Sequence, residues 1–254
     1  MFLAIDIGNT NTVLGVFNDD ELLHSYRVFT RKDALADEYS VLIGNMLRID
    51  GIEPASIEGC VISSVVPKLT GRISEAVEKI ASCKPLIVAS GVKTGINIMI
   101  DNPAQLGSDM VANAAGAISR YNLPAIIIDL GTAMTFSVVD ESHTFLGGVI
   151  TAGVRTALDG LTDKTSQLPD INIEAPASVI GKNTVDSMKS GIVFGAASLI
   201  DGMIERISGE YGRGFTLVAT GGMSKYIVPH CKSEIAIDPD LMLYGLFEIY
   251  KRNA

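Results

Sequence analysis

Apolar residues fall along the chain in short runs broken by stretches of helical spacing, and the alternation of the two predicts most of the secondary structure. Residues 2–6 (FLAID), 12–17 and 21–28 read as three strands, the first two joined by a short polar turn. In 37–47 the apolar positions Tyr39, Leu42, Ile43 and Met46 recur at three- and four-residue intervals, which predicts an amphipathic helix. A strand at 59–64, a helix at 70–80 and a strand at 85–89 follow. Beyond the turn at Pro103, residues 109–121 are alanine-rich, with Val111, Ala114, Ala115 and Ile118 on one helical side. The second half repeats the plan: strands at 125–129, 135–140 and 144–151, helices at 154–161 and 184–207, a strand at 216–219 and a helix at 240–251. Three strands, a helix and then further strand–helix units describe a mixed sheet covered by helices, the α/β class.

The polar turn after the first strand recurs. Asp6, Gly8 and Thr12 reappear as Asp129, Gly131 and Thr135 at one constant offset. One such turn is what a plain hairpin with Asp and Asn as turn formers would show. Two copies, each after an apolar strand and each leading into another strand, point instead to a phosphate-binding role. Gly8 and Gly131 permit close backbone approach, so that N–H groups can face phosphoryl oxygens. Asn9, Thr10 and Thr132 add donors. A carboxylate such as Asp6 or Asp129 beside a polyphosphate is repelled unless it holds hydrated Mg²⁺ or a similar ion. Neither turn is a Walker or Rossmann loop, because both lack the glycine spacing and the helix start. The duplication favours two domains within 254 residues, divided as 1–117 and 118–254.

Composition narrows the partners. With 47% hydrophobic and 19% charged residues the chain has material for buried sheets. A formal net charge of −9 argues against non-specific binding to nucleic acid or to anionic membrane. It leaves room for a phosphate ligand held by local backbone dipoles. No apolar run approaches spanning length, and the opening residues lack the basic flank and long apolar core of a signal peptide. Cys60, Cys83 and Cys231 have no close pairing, so reduced thiols and a cytoplasmic location are expected. His24, His143 and His230 are scattered and expected on the surface or in loops.

Asp109 follows Pro103, Gly107 and Ser108 and opens a helix, so a capping carboxylate and a functional one are both open readings. A resemblance decides between them. The segments DIGNTN, DLGTAMTF and VATGG, in that order, resemble the two phosphate loops and the adenosine loop of the acetate kinase, sugar kinase, Hsp70 and actin superfamily. DNPAQLGSD, GGVITAG, TSQLP, IGKNTVDSMKSGIVFG and DPDLMLYGL extend the match to the type III pantothenate kinase family, also called the Bvg accessory factor family, over nearly the whole chain. The resemblance implies two similar actin-like (ribonuclease H-like) domains, each a mixed β-sheet covered by helices. It also implies ATP-dependent phosphorylation of pantothenate to 4'-phosphopantothenate, the first step of coenzyme A biosynthesis.

Residue by residue, the resemblance assigns Asp6, Gly8, Asn9, Thr10 and Asn11 to the first phosphate loop, with Asp6 near Mg²⁺. Gly131 and Thr132 fall in the second, where Asp129 stands beside a monovalent cation, K⁺ or NH₄⁺. Gly221 and Gly222 lie against adenosine. Ile100, Gly107, Ser108, Asp109 and Met110 take substrate positions, with Asp109 activating the hydroxyl, and Thr184 reaches the substrate of the neighbouring subunit in a homodimer whose active site is shared. Four positions depart from the family pattern. Met110 replaces an arginine suited to the substrate carboxylate, Ile100 stands where many relatives carry tyrosine, Met134 replaces a hydroxyl residue, and Ala152 replaces a proline. Methionine donates no hydrogen bond, and Arg155 and Lys164 are the candidates for replacing the charge. The alternative these departures leave open is a paralogue with another substrate or none, a nucleotide-binding regulatory module.

Overall fold

The computed structural model describes every residue, Met1–Ala254. The chain divides into two units, one of Met1–Ile96, Asp101–Ser119 and Leu241–Ala254, the other of Asn97–Ile100 and Arg120–Asp240.

Unit 1 is built on a five-stranded sheet in the order β3-β2-β1-β4-β5. Strands β1 (Phe2–Ile7), β2 (Asn11–Asn18) and β3 (Glu21–Phe29) form an antiparallel meander. β4 (Gly59–Ser64) and β5 (Leu86–Ile87) run parallel to β1. Every residue of β1 is buried, which is why it reads as a continuous apolar run ending in Asp6-Ile7. One face packs on helices α1 (Ala36–Ile49) and α2 (Pro67–Ala81), joining Leu3, Ile5 and Ile62 to Ile43, Leu47 and Ile73 in one core. Pro67 opens α2, where its missing N–H costs nothing.

Two further helices complete unit 1: α3 (Ser108–Arg120) and the final helix α7 (Leu241–Lys251). Phe247 of α7 stacks on Phe17 at 4.6 Å, and Tyr250 lies 4.3 Å from Phe2. Offset aromatic contact of this kind adds to plain area burial. A division of the chain at 117/118 assigns α7 to the second half, but this aromatic face commits it to the first sheet. The helices α3 and α7 meet at backbone distance. A Cβ on Gly245 would run into the Ala112 carbonyl, and one on Gly116 into the carbonyl of Leu241.

Unit 2 holds a six-stranded sheet in the order β11-β10-β7-β8-β9-β6. Its meander is β7 (Ala125–Leu130), β8 (Ala133–Val139) and β9 (Thr144–Ala152). β10 (Thr216–Thr220) and β11 (Ala236–Ile237) run parallel to β7, and β6 (Asn97–Ile98) adds to the β9 edge. Without β6, the order matches unit 1, so the repeat in the sequence is a repeat of topology. Helices α4 (Val154–Asp163), α5 (Thr184–Tyr211) and the short α6 (Ser224–Ile227) accompany this sheet. Its core joins Ile126, Ile128, Leu130 and Phe136 to Val193, Ala197 and Ile200.

The two hairpins are not superimposable copies. Ile7 pairs with Thr12 and Asp6 with Val13, whereas Leu130 pairs with Met134 and Asp129 with Thr135. The second turn is one residue shorter, so the constant offset of the sequence fails past the turn. Met134, not Thr135, occupies the place of Thr12. Because side chains alternate between faces, that one-residue slip turns Met134 into the core beside Leu130, where it is 1% exposed. The hydroxyl expected at position 134 is therefore absent from a packing position, and its loss from ligand contact, as the sequence suggests, does not follow.

His24 lies within β3 rather than in a loop, 3.6 Å from the carboxylate of Asp50, while His143 and His230 are exposed in a turn and a short helical turn. The three cysteines are free thiols. No helix is long and apolar enough to cross a membrane.

The α3–α7 crossing makes a direct prediction. Gly245→Val should destabilise the protein by about 1–3 kcal/mol, the usual cost of forcing bulk into a packed site. Gly202→Ala, in α5 with open space around the missing Cβ, should stabilise it by about 0.5–1 kcal/mol. Denaturant titration of the two variants against the parent protein checks both signs.

Candidate active site

In unit 1 the candidate residues converge on the C-terminal edge of the sheet. Asp6 ends β1 at 8% exposure and is paired in register with Ser63 of the parallel neighbour β4. The Ser63 hydroxyl donates to Ser108 Oγ at 3.0 Å, and the Ser64 amide donates to the same oxygen at 3.2 Å. Ser108 is the first residue of α3, so these bonds pin the helix start, and with it Asp109, to the strand end beside Asp6. Asp109, the second residue of α3, has its Oδ1 held by the Met110 amide at 2.8 Å. A Cβ at Gly107 would sit on Asp109 Oδ1, so the glycine makes room for the carboxylate to fold back on its helix. Met110 itself is 8% exposed within the buried side of α3.

The turn between β1 and β2, expected from the sequence to be the first phosphate loop, is a tight hairpin. The Gly8 amide donates to the Asn11 carbonyl at 3.0 Å, and a Cβ on Gly8 would meet that carbonyl at 2.9 Å. The Gly131 amide is likewise engaged by the Ala133 carbonyl at 3.1 Å. The amides of Gly8 and Gly131 thus close their turns. Asn9 and Thr10 in the first loop and Thr132 in the second are the exposed groups. Thr30, at the end of β3, braces the first loop: its hydroxyl donates to the Gly8 carbonyl at 2.7 Å and its amide to the Thr10 carbonyl at 2.9 Å. Lys32 Nζ donates to Asn9 Oδ1 at 3.3 Å. Neither Thr30 nor Lys32 stands out in the sequence, since both follow the motif at a distance that only the meander closes.

In unit 2 a matching edge gathers Asp129, Gly131, Thr132, Gly221 and Gly222. Asp129 pairs in register with Thr220 of β10, and the chain then turns through Gly221 at φ +87°. A side chain there would be strained and would collide with Asp129 Oδ1 and the Leu130 backbone. The Met223 amide donates to the Leu130 carbonyl at 3.2 Å, and the Ser224 hydroxyl to the Gly221 carbonyl at 2.8 Å. Thr132 is held from the opposite side, its carbonyl accepting the Gly153 amide at 3.0 Å and the Thr156 hydroxyl at 2.7 Å. Gly153, the last residue of the GGVITAG segment, and Thr156 are additions to the site, and Thr156 carries no sequence signal of its own.

Thr184 stands exposed on the first turn of α5, which is capped by Asn183 through the Asp186 amide at 2.9 Å. Ile100 is half-buried in the segment following β6. Of the two candidate replacements for an arginine at 110, Arg155 is already paired, its Nε to Asp159 at 2.7 Å and its Nη2 to Asp170 at 3.2 Å. Lys164 is the exposed C-cap of α4.

Comparison with known proteins agrees with this arrangement. Residues 2–206 match the family model described as type III pantothenate kinase. The chain is 39% identical over 254 residues to the type III pantothenate kinase of Bacillus cytotoxicus, covering all of this chain and 97% of that protein. It is 40% identical over 253 residues to that of Halalkalibacterium halodurans, covering the full length of both. Among solved structures, a conserved Baf-family protein from Campylobacter jejuni, described as a transcriptional activator, has a TM-score of 0.62 at 17% identity, covering 99% of this chain and 98% of the other. A dehydratase component A from Acidaminococcus fermentans has a TM-score of 0.60 at 16% identity, covering 100% and 99%. A protein of Sinorhizobium meliloti named as a 2-dehydro-3-deoxygalactonokinase has a TM-score of 0.59 at 11% identity, covering 99% and 98%. At these identities the likeness speaks for the fold, two mixed sheets covered by helices in the manner of the actin-like ATPases and sugar kinases. The sequence relatives go further, matching at about 40% identity over the full length: this chain belongs to the type III pantothenate kinase family.

Proposed function

We propose that the chain transfers the γ-phosphoryl group of ATP to the primary hydroxyl of pantothenate, giving 4'-phosphopantothenate, with Asp109 as the base. The observation that carries this reading is the tie between Asp109 and Asp6 within unit 1. Ser108 locks the start of α3 to β4 beside the end of β1, so base and phosphate loop share one rigid edge. Phosphoryl transfer gains chiefly from positioning and charge stabilisation, and a carboxylate fixed by its own helix amide suits the first need. The proton of the attacking hydroxyl passes to Asp109 Oδ2 as the oxygen–phosphorus bond forms, and ADP departs.

Asp6 suits one Mg²⁺ of the nucleotide, and when bound that ion neutralises phosphate charge. No three His, Cys, Asp or Glu side chains gather as a metal cage. That fits an ion which keeps several waters and takes one or two carboxylates with phosphate oxygens. Asp129, beside the Gly221 turn, is the place for K⁺ or NH₄⁺. Gly221 and Gly222 would receive adenosine. A homodimer with a shared site is supported by Val179 and Ile180, exposed at 68% and 79% just ahead of Thr184, because adjoining exposed apolar side chains favour a partner. The work of such a kinase belongs in the cytoplasm.

A second reading is favoured by Met110. With Arg155 committed to Asp159 and Asp170, position 110 supplies no charge for a substrate carboxylate, and the acceptor would be a less anionic alcohol. A nucleotide-binding regulatory module would lack turnover altogether.

Asp109→Asn should lower kcat by about 10²–10⁴-fold with ATP affinity retained. Steady-state ADP release and calorimetric ATP binding measure the two, and an unchanged kcat removes Asp109 as base. Where Met110 relaxes charge selection, kcat/KM for pantothenate and for its neutral carboxamide should agree within about tenfold. A retained charge contact of about 1.5–3 kcal/mol would separate them by one to two decades. ATP consumption that ignores every alcohol supplied would favour the regulatory module.

A further inference from the structure

The segment that follows β3 holds a cation against the first phosphate loop, and no assigned role accounts for it. Residues 30–34 leave the sheet edge and are fastened at successive points. Thr30 is bonded to the loop carbonyls of Gly8 and Thr10. Tyr39 Oη accepts the Arg31 amide at 3.2 Å and donates to the Arg31 carbonyl at 3.3 Å. Arg72 Nη1 donates to the carbonyls of Lys32 and Ala34 at 3.3 and 3.0 Å, and the Ala34 side chain is buried. Arg72 of α2 therefore holds the Lys32 carbonyl directly, while Tyr39 of α1 and the Thr30 that follows β3 fix the residues just ahead of it. Lysines that serve only as solvated surface charge need no such support.

Two cations and two acids surround the position of Lys32. An open cavity of about 350 Å³ is lined by Arg31, Lys32, Asp33, Ala34 and Glu38. Arg31 is neutralised there by Glu38 at 3.3 Å. Lys32 has a neutral partner, the side-chain oxygen of Asn9, at 3.3 Å. Its ammonium group is thus directed at the exposed tip of a loop that is otherwise uncharged beyond Asp6, with donor capacity remaining, since an ammonium has three donors.

Resting on the kinase reading above, we infer that Lys32 is a phosphate-contacting residue: it carries the positive charge of the first phosphate loop and binds a phosphoryl oxygen of the nucleotide seated at Asn9 and Thr10. A point charge on a flexible stem suits this task, because it can follow the transferring group while its backbone stays fixed. The chain carries a net charge of −9, so a polyanion approaching this edge meets general repulsion, and a local cation offsets it.

The test uses the full-length protein and three substitutions, Lys32→Ala, Lys32→Arg and Lys32→Gln, with ATP, ADP and adenosine as probes. The Ala variant should raise the Kd for ATP and the KM for ATP by about tenfold, the value of one charge-assisted hydrogen bond. It should leave adenosine affinity and the melting temperature unchanged, and ATP binding should lose part of its salt dependence. The Arg variant should recover most of the ATP affinity. The Gln variant, which can still donate to Asn9 but has no charge, should behave like Ala. Recovery by Gln would make Lys32 a brace for Asn9 and overturn the inference, as would ATP affinity within twofold of the parent in all three variants. A parent protein that binds ATP in a Lys32-dependent way without phosphorylating pantothenate would remove the kinase reading and leave the inference standing. Pantothenate turnover with variants equal to the parent would do the reverse, and a parent that fails to bind ATP would end both.

Discussion

The backbone contact between α3 and α7 is the constraint on which the rest of unit 1 depends. Two glycines, Gly116 and Gly245, let the helices approach until each lies against a carbonyl of the other. α7 is in turn fixed to the sheet by Phe247 on Phe17 and Tyr250 on Phe2. The N-terminus of α3 is therefore located twice: from below by its crossing with α7, and at its tip by Ser108 on β4. A carboxylate at such a tip inherits the rigidity of the sheet. Placement on a packed helix, rather than on a loop, is what holds a reacting group within a fraction of an ångström.

Most of the fold was legible because period-two and period-3.6 patterns are long here. The strand at 59–64 is found with the bounds the pattern gives, α1 and α2 extend past both ends of the pattern by one to three residues, α5 runs four residues beyond it at the C-terminal end, and α3 is the expected helix shifted by one residue. What was missed is too short to carry a period. β6 and β11 are two residues each, and α6 is four. The allegiance of α7 was illegible for another reason. A helix of Leu, Met, Phe and Tyr announces that it is buried, but only Gly15, Phe2 and Phe17 say against which sheet.

The candidate site divides in the same way. Asp6, Asp109, Asp129 and the glycines could be named from motif order, since their spacing is local. Thr30, Lys32, Gly153 and Thr156 could not, because each reaches its loop through a strand return or a helix start. Motif order also does not carry the bonds that the amides of Gly8 and Gly131 make within their own turns. Membership of the pantothenate kinase family gives the chemistry as phosphate transfer to an alcohol, and the buried side chains at 110 and 134 divide into one beside Asp109 and one in the core.

The unequal hairpins have a consequence for how the two halves specialise. Across the first ladder Asp6 faces Val13, and across the second Asp129 faces Thr135. Directly opposed residues on a sheet lie within about 5.5 Å at Cβ, so one carboxylate has methyl groups as its lateral neighbour and the other has a hydroxyl. The two acids stand at matching places in the two sheets, and one residue in a turn makes their surroundings differ. Asymmetry between paired sites in such a protein does not require new side chains at the acids themselves. A change in loop length, acting through the parity of the strand behind it, is enough to give twin positions different solvation and so different tasks.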